Sequence, residues 1–385
     1  MKNLAVLGST GSVGTSTLDV VRQNRDLFNV EVLLANSNFD LMMKQYEEFS
    51  PKYIYLHDSE ARKSFLSQAG NFSSKTTLLS SEDEIENILE SESIDIVVAA
   101  MVGVAGLVPV YQAVKNGKNV LLANKESYVV AGELLNNLSA ANNSTIFPID
   151  SEHSAIHQCL QGVHDKSSIS RLILTGSGGP FLHKEMNEFS SITPKEAVAH
   201  PIWSMGKKIS VDSSTMMNKC LEVIEARWLF NNENIDVLIH PEGLIHSLVE
   251  FKDNSMLAQL SVPDMKIPIA YGLGFPEKIN SSSNKINFEE ITNLTFMQPD
   301  YKKFPSLGLA NDCLRAGGTS FTILNAVNEV CVDAFLKGKI AYLDIYKIIS
   351  KVLDKSEINE VKELGDIFEA DIRSRKETLD IIKLN

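Results

Sequence analysis

Two carboxylates, Asp150 and Glu152, lie one residue apart in the segment TIFPIDSEHSAIH at residues 145–157. The apolar run at 145–149 predicts a strand, and open α/β sheets bind ligands at such strand ends. Residues i and i+2 of an extended segment point to the same side, so the pair could hold one hard divalent cation. A solvated acidic pair, or the first turn of a helix beginning near Ser154, explains the same residues, and both readings stay open.

A second polar set lies in the predicted helix at residues 215–230. Asn218, Lys219 and Glu222 share one helix face, opposite an apolar stripe, and Ser213 directly precedes the helix. An ion pair at this spacing is usually a solvated surface pair. The grouping of an amide, a cation and a carboxylate on one face also fits a binding site.

Two further segments carry candidate ligand contacts. The run TGSGGP at 175–180 follows a predicted strand, and its small residues, including Ser177, expose the N–H and hydroxyl groups that a phosphate needs. A flexible turn would use the same residues. Lys125 follows the predicted strand at 119–122, on the rim that also carries Asp150, which favours an active-site role over a surface lysine.

The segment HPIWSMGKKISVDSS at 200–214 combines a Trp, a Met and a Gly without a clear period. Its aromatic residue could be anchored in a core. The composition is also typical of a lid that closes over a substrate.

The N-terminus supplies the element that would position a cofactor. A strand at 2–7 leads into GSTGSVG at 8–14 and then a helical pattern, an arrangement that brings backbone N–H groups to a pyrophosphate. A tight turn without a ligand is the alternative. After the second strand stand Asn36, Ser37 and Asn38, with no acidic residue for a ribose hydroxyl, which favours NADP over NAD.

Alternating strands and helices over residues 1–149 predict an α/β fold with a Rossmann-like, doubly wound parallel sheet. One of its helices is expected to open with a capping box from Ser81 to Glu84. Residues 150–285 are interpreted as a central α+β catalytic and dimerisation domain with antiparallel edge hairpins and a mobile loop at 199–208. Residues 286–304 are expected to be a linker, and 305–385 a separate C-terminal helical domain.

Composition narrows the function further. A net charge of −13 argues against nucleic-acid and anionic-membrane partners, and no apolar run is long enough to span a membrane. The cysteines, Cys159, Cys220, Cys313 and Cys331, show no CxxC pairing and are interpreted as buried thiols in a reducing compartment. We expect a cytoplasmic protein.

With these motifs laid out, the sequence resembles the 1-deoxy-D-xylulose 5-phosphate reductoisomerase family. The resemblance covers nearly the whole chain and is carried by GSTGSVG, ANKES, DSEHSA, TGSGGPF, HPIWSMGKKISVDSSTMMNK and PDMKIPIAY, in this order. It implies an oxidoreductase of non-mevalonate isoprenoid synthesis that uses NADPH and one divalent cation, Mn²⁺ or Mg²⁺. The implied reaction rearranges and reduces 1-deoxy-D-xylulose 5-phosphate to 2-C-methyl-D-erythritol 4-phosphate in a homodimer.

The resemblance also implies residue roles. The metal ligands fall on Asp150, Glu152 and Glu222, and the catalytic set adds Lys125 and His200. The implied substrate contacts are Lys125, Ser151, Glu152, Ser177, His200, Trp203, Met205, Ser213, Asn218, Lys219 and Glu222. The implied cofactor contacts are Gly8, Thr10, Gly11, Ser12, Val13, Asn36, Ser37, Asn38, Asn124, Glu126 and Gly206. His153 and His246 match positions with an orienting role.

The chain departs from the family pattern at a few positions. Asn36 and Ser37 replace a small residue and a variable, sometimes basic one, which affects the contacts to the 2′-phosphate. Glu242 and Gly243 replace a common Gln and Ser, and Val262 replaces a polar residue. None of these positions is an implied metal ligand.

Rival functions make different demands on the sequence. Another NADP-dependent dehydrogenase acting on a small phosphorylated carbonyl compound is the alternative within the same class. A semialdehyde-type dehydrogenase needs a cysteine nucleophile with a nearby base. A nucleotide-binding regulator would need the glycine turn but not the carboxylates.

Overall fold

A computed structural model describes residues 1–68, 75–203 and 205–384. The chain forms two compact units. The first unit comprises Met1–Ser127, Leu135–Ser154 and Asp264–Asn284. The second unit comprises Tyr128–Leu134, Ala155–Pro263 and Lys285–Asn385.

Strands and helices alternate through the first part of the chain. In order they are β1 (Lys2–Leu7), α1 (Ser12–Gln23), β2 (Phe28–Ala35), α2 (Phe39–Phe49), β3 (Tyr53–Leu56), α3 (Ser59–Gln68), β4 (Thr77–Leu78), α4 (Glu82–Glu90), β5 (Ile96–Ala99), α5 (Leu107–Lys115), β6 (Asn119–Leu122), α6 (Lys125–Asn142) and β7 (Thr145–Pro148).

The remaining elements begin with the helix that follows β7. In order they are α7 (Ser151–Cys159), β8 (Ile169–Gly176), α8 (Pro194–Ala197), α9 (Lys207–Ser214), α10 (Met217–Phe230), β9 (Ile235–Ile239), β10 (Ile245–Phe251), β11 (Met256–Leu260), α11 (Lys266–Gly274), α12 (Gly308–Ala316), α13 (Ser320–Leu336), α14 (Tyr342–Lys355) and α15 (Leu364–Leu384).

The first unit is built on a seven-stranded sheet with the order β4-β3-β2-β1-β5-β6-β7, in which the strand pairs are parallel. The predicted doubly wound sheet is therefore confirmed. The strand order reverses between β1 and β5, and open α/β sheets bind ligands at such a switch point. The glycine turn that follows β1 lies at this point.

The chain returns to the first unit after β11, which the predicted domain boundary missed. Helix α11 packs on α1, and a β carbon at Gly272 would lie 3.0 to 3.1 Å from the side chains of Leu121, Phe147 and Ile149. The prediction that residues 150–285 form one domain is wrong for 264–284. The physical reason is that KIPIAYGLG is apolar around the helix and buries itself against the sheet.

The second unit contains a four-stranded sheet with the order β11-β10-β8-β9. The antiparallel pairing of β10 with β11 agrees with the predicted hairpin. The strand β9 instead pairs in parallel with β8, so the prediction that it forms an antiparallel hairpin is wrong. Parallel neighbours need a long crossover, and α8, α9 and α10 lie between these two strands in the chain.

The C-terminal segment is helical, as predicted, but it does not have a core of its own. It shares one hydrophobic cluster with β8 and α10, in which Trp228 lies 5.5 Å from Phe321 and Phe181 lies 5.4 Å from Tyr342, measured between ring centroids. The predicted linker at 286–304 also binds this unit, because Met297 bridges to Ile239.

Several local predictions need smaller corrections. The capping box at Ser81 does not form, because the Ser81 side chain makes no capping hydrogen bond. The Glu84 carboxylate accepts hydrogen bonds from the backbone N–H and hydroxyl of Ser80. The predicted loop 199–208 ends earlier than expected, since α9 begins at Lys207. Ser204 of this loop lies outside the described residues.

Candidate active site

In the glycine turn after β1, the backbone lies close to neighbouring backbone segments, as the glycines of the sequence predict. Gly8 has φ of +90°, and a β carbon there would lie 2.5 Å from the Ala100 carbonyl oxygen. A β carbon at Gly14 would lie 2.2 Å from the Gly8 carbonyl oxygen. Gly11 caps α1 without a side-chain hydrogen bond, and it is exposed together with Ser12. The N-terminus of α1 is thus open to an anion.

The turn after β2 is also exposed, at Asn36, Ser37 and Asn38. The Asn38 side-chain oxygen accepts a hydrogen bond from Leu41 N at 3.1 Å and so caps α2. The Asn36 carbonyl accepts one from Asp58 N at 3.0 Å. These bonds fix the backbone of the turn and leave the Ser37 side chain exposed.

Asn124, which follows strand β6, is buried, and its side chain is hydrogen bonded to backbone groups. Its Nδ2 donates to the carbonyls of Met101 at 2.7 Å and Gly103 at 2.9 Å, and its Oδ1 accepts from Ser127 N at 3.1 Å. Glu126, the other predicted cofactor contact on α6, is buried. The structure therefore shows Asn124 shaping the rim, and its direct contact with NADPH stays a prediction.

Lys125 and Asp150 form a buried ion pair with 2.7 Å between Lys125 Nζ and Asp150 Oδ2. Burial by itself would raise the pKa of the Asp150 carboxyl, but the Lys125 ammonium outweighs it and holds that pKa well below its usual range. Asp150 is therefore an anion at neutral pH. The predicted proximity of these two residues on the sheet rim is confirmed.

The local geometry predicted for Asp150 and Glu152 is wrong. Helix α7 begins at Ser151, so Glu152 lies in its first turn rather than in an extended segment. Glu152 N donates to Asp150 Oδ1 at 3.4 Å, and the Ser151 hydroxyl donates to the Glu152 carboxylate. The N-terminal end of a helix favours negative charge, which explains why two carboxylates are tolerated here. His153, predicted to orient other groups, is fully buried in the same helix.

In the second unit, the TGSGGP turn after β8 approaches both α9 and α10. A β carbon at Gly176 would lie 3.0 Å from Lys219 Cε, and one at Gly179 would lie 2.7 Å from the Ser213 carbonyl oxygen. The turn therefore lies directly against the backbone of α9 at Gly179, where only glycine fits, and close to the Lys219 side chain of α10 at Gly176.

Ser177 in this turn is hydrogen bonded to His200, with 3.2 Å between Ser177 Oγ and His200 Nε2. The contacts of the turn therefore bring Ser177, His200, Ser213 and Lys219 to one region of the second unit, and the implied phosphate contacts of Ser177, Ser213 and Lys219 stay predictions. A cation, an imidazole and two hydroxyl groups are suitable donors for phosphate oxygens.

The polar face of α10 is buried rather than solvated. Lys219 is 4% exposed and Glu222 is 1% exposed, and the two form an ion pair, while the Asn218 amide also donates to the Glu222 carboxylate. The surface-pair alternative is therefore wrong. Periodicity suggested one apolar face, but α10 is enclosed on both sides.

Sequence reasoning missed Glu225, which is fully buried one turn after Glu222. The signal that could have found it is a second carboxylate at i+3 on a helix that already carries one. A buried carboxylate requires a compensating partner, so Glu225 is a polar position inside the core of the second unit.

The candidate lid is organised by His200. Its Nδ1 accepts hydrogen bonds from Trp203 N at 2.9 Å and Ile202 N at 3.2 Å, which places the ring proton on Nε2. Burial lowers the pKa of His200 below its ordinary value, so the ring is neutral at pH 7. Trp203 also packs near His246, with 6.4 Å between ring centroids.

Other predicted residues of this region are placed around the lid. Met205 is half-buried, and Gly206 is exposed and caps α9. Gly243, a departure from the family pattern, has φ of +63° and a β carbon there would lie 3.0 Å from Ile202 Cδ1. Glycine at this position is thus explained by backbone conformation and by the nearby lid residue.

Comparisons with known proteins agree with this architecture. Family models described as 1-deoxy-D-xylulose 5-phosphate reductoisomerase and its C-terminal domains match residues 4–132, 146–230 and 260–377. The 1-deoxy-D-xylulose 5-phosphate reductoisomerase of Proteus mirabilis (strain HI4320) is 44% identical over 393 residues, covering 99% of this chain and 99% of that protein. The chain belongs to the 1-deoxy-D-xylulose 5-phosphate reductoisomerase family.

Further members of the family show the same relationship. The Thermodesulfovibrio yellowstonii (strain ATCC 51303 / DSM 11347 / YP87) enzyme is 44% identical over 378 residues, with 98% of each chain covered. A crystal structure of DOX-P reductoisomerase in complex with NADPH, fosmidomycin and magnesium has a TM-score of 0.93 and 40% identity, covering 100% of this chain and 99% of that one.

The enzyme from Zymomonas mobilis in complex with NADPH has a TM-score of 0.92 and 37% identity, with 99% of each chain covered. Membership of this family confirms the predicted class of enzyme, an oxidoreductase. NADPH is bound in both of these solved structures, and magnesium is bound in the first. The roles of individual residues remain predictions.

Proposed function

We propose that the chain converts 1-deoxy-D-xylulose 5-phosphate to 2-C-methyl-D-erythritol 4-phosphate, with NADPH as reductant and Mg²⁺ or Mn²⁺ as the cation. The observation that carries the proposal is the convergence of Ser177, His200, Ser213 and Lys219 in the second unit. This arrangement supplies the donors that a phosphorylated sugar requires. Family membership supplies the reaction.

We assign one set of residues to the substrate phosphate and another to the sugar backbone. Ser177, Ser213, Asn218 and Lys219 would hold the phosphate, so that binding energy remote from the reacting carbons orients them. Lys125 and Ser151 would contact the sugar backbone. Trp203 and Met205 would close over it and exclude water, with His200 holding the lid backbone.

The donor set fits a hard divalent cation. Asp150, Glu152 and Glu222 offer carboxylate oxygens, the ligands that Mg²⁺ and Mn²⁺ prefer, and Lys125 keeps the pKa of Asp150 low enough for it to remain charged. We assign these three residues as the metal ligands. When bound, the cation supplies Lewis-acid polarisation of the substrate carbonyl.

NADPH supplies the hydride that completes the reduction. The exposed N-terminus of α1, with Gly8, Thr10, Gly11, Ser12 and Val13 around it, is assigned to the pyrophosphate. We assign the turn of Asn36, Ser37 and Asn38 to the 2′-phosphate, and Asn124, Glu126 and Gly206 to the remainder of the cofactor.

The experiment that tests the proposal is NADPH oxidation, followed by absorbance, with 1-deoxy-D-xylulose 5-phosphate in the presence and absence of Mn²⁺. We expect oxidation that requires both substrate and metal, with 2-C-methyl-D-erythritol 4-phosphate as the product. Metal-independent oxidation, or oxidation of other phosphorylated carbonyl compounds in preference to this one, would favour the alternative dehydrogenase.

The cysteine environment argues against a semialdehyde-type dehydrogenase. Burial raises the pKa of Cys159 to about 11, and it raises the pKa of Cys313 and of Cys331 to about 12. A catalytic cysteine must be a thiolate near neutral pH, and these groups are not.

We further propose a homodimer that forms through the edge strand β11. Met256, Leu257 and Leu260 are exposed on this strand at 46%, 49% and 37%. Apolar side chains on an open sheet edge favour pairing with another chain.

A cytoplasmic location is supported by the four cysteines, which are buried free thiols. Among the described residues, no helix is both long and apolar enough to cross a membrane.

A further inference from the structure

The last turn of α9 is held at two points by the C-terminal helices. Asp212 is fully buried, and its carboxylate accepts a hydrogen bond from Asn328 Nδ2 of α13 at 2.8 Å. Two residues later the Ser214 carbonyl accepts a hydrogen bond from Tyr342 Oη of α14 at 2.6 Å. Ser213 lies between these anchored residues, with its carbonyl oxygen facing Gly179.

Stability alone does not account for the buried Asp212. Its carboxylate is compensated by Lys208 Nζ at 2.8 Å and by the Asn328 amide, yet α13 already contacts α9, and both helices contribute apolar side chains to the same core cluster. Replacing a buried polar pair by apolar side chains is often neutral or stabilising. The pair does, however, define how α9 is rotated about its own axis, because a hydrogen bond is directional.

The corner between α9 and α10 also needs external support. Met216, which connects the two helices, is buried and has φ of +60°. A non-glycine residue in this left-handed conformation is strained, and such a conformation persists only where the surroundings hold it. The first turn of α10, directly after this corner, carries Asn218 and Lys219.

We propose that Asn328 and Tyr342 are positioning residues for the substrate phosphate. They act through Asp212 and the Ser214 carbonyl, and they hold the corner in the conformation that brings Ser213, Asn218 and Lys219 together. The C-terminal helices thereby contribute to substrate binding without a residue that touches the substrate. This inference rests on the proposed function, which assigns the phosphate to these three residues.

The test compares Asn328→Ala and Tyr342→Phe with a matched control, Asn325→Ala. Asn325 is fully buried on the same helix, but its amide donates to Glu329 at 3.2 Å rather than to α9. Steady-state kcat and KM are measured for 1-deoxy-D-xylulose 5-phosphate and for NADPH, together with thermal unfolding. Each test variant is expected to raise the substrate KM by about three- to tenfold, the effect of one lost hydrogen bond, with the KM for NADPH unchanged.

A swap of donor and acceptor separates positioning from general destabilisation. Asn328→Asp alone places two carboxylates against each other and is expected to raise the substrate KM. The double variant Asp212→Asn with Asn328→Asp restores an amide-to-carboxylate hydrogen bond in the opposite direction, and we expect it to reverse most of that rise. An equal rise in substrate KM in Asn325→Ala, or an unchanged KM in both test variants, would overturn the inference.

The substitution Lys219→Ala distinguishes this inference from the function on which it rests. A strongly raised substrate KM in Lys219→Ala, with no change in Asn328→Ala and Tyr342→Phe, would reject the positioning role alone. An unchanged KM in Lys219→Ala would reject the phosphate assignment itself, and the positioning role with it.

Discussion

At the scale of single residues, the candidate site contains two buried ion pairs. Lys125 pairs with Asp150, and Lys219 pairs with Glu222, with each side chain largely removed from solvent. Such pairs contribute little net stability, because desolvation offsets their attraction. The Lys125 ammonium keeps Asp150 charged, and both pairs orient their side chains for the proposed cation and phosphate.

The Lys125 and Asp150 pair can be tested through stability, independently of turnover. Lys125→Met leaves a buried carboxylate without its cation, so we expect the free energy of unfolding to fall by about 3 to 5 kcal/mol. The double variant with Asp150→Asn should recover most of this loss, because the carboxylate that Lys125 compensated is no longer charged. Chemical denaturation without added metal measures both, and equal losses in the single and double variants would contradict the explanation.

Glu222 can be tested through catalysis. Glu222→Gln removes a charged ligand while retaining shape, so we expect turnover to be abolished and NADPH binding to survive. The measurements are NADPH oxidation and NADPH fluorescence on binding. Glu233→Gln, at a residue 86% exposed in its side chain, is the control and should retain full activity. Lost cofactor binding with intact turnover would contradict the assignment.

At the scale of elements, the lid depends on the protonation state of one histidine. His200 Nδ1 can accept from the Ile202 and Trp203 backbone only while it carries no proton. The pKa of the folded form lies below the ordinary value of 6.5, so the unfolded lid binds a proton more readily. The two hydrogen bonds to His200 Nδ1 therefore stabilise the candidate lid above pH 6.5, and this stabilisation is lost as the pH falls through the lowered pKa of His200 in the folded form.

Trp203 fluorescence in a Trp228→Phe background should report this transition. We expect the emission to change as the pH falls below 6.5 and to remain flat in His200→Asn, whose side-chain oxygen accepts the same bonds without titrating. A pH-dependent change that persists in His200→Asn would contradict this explanation.

At the scale of the whole molecule, the second unit combines an enclosed core with one exposed apolar edge. The C-terminal helices cover α10 and share the core of the second unit. Strand β11, at the end of the sheet, keeps its apolar side chains exposed. The contrast favours a second copy of the chain as the partner of this edge.

The proposed dimer can be tested by light scattering. The native protein is expected at twice the chain mass of 42.5 kDa, and Leu257→Lys at the mass of one chain, because a charge on the edge strand opposes pairing. Leu379→Lys, at an equally exposed position on α15, is the control and should not change the mass. A native protein at the mass of one chain would reject the dimer.

The sequence by itself determined the features that depend on neighbours along the chain. The glycine turn, the parallel sheet and the identity of the site segments follow from strand and helix periods and from short motifs, because these patterns reflect local backbone geometry. Lys125 and Asp150 could be placed together because consecutive parallel strands end on one rim.

Only the tertiary structure decided which surfaces are covered and which strands pair. Asn218, Lys219 and Glu222 have the pattern of a solvated face, and they are enclosed because segments far away in the chain pack around α10. In the same way, β9 pairs with β8 and α11 returns to the first sheet, since partners in a core are chosen by complementary apolar surfaces rather than by sequence separation. The tertiary structure also decided the contact between Asn328 and Asp212, because nothing in the local pattern of α13 indicates that the Asn328 amide reaches Asp212.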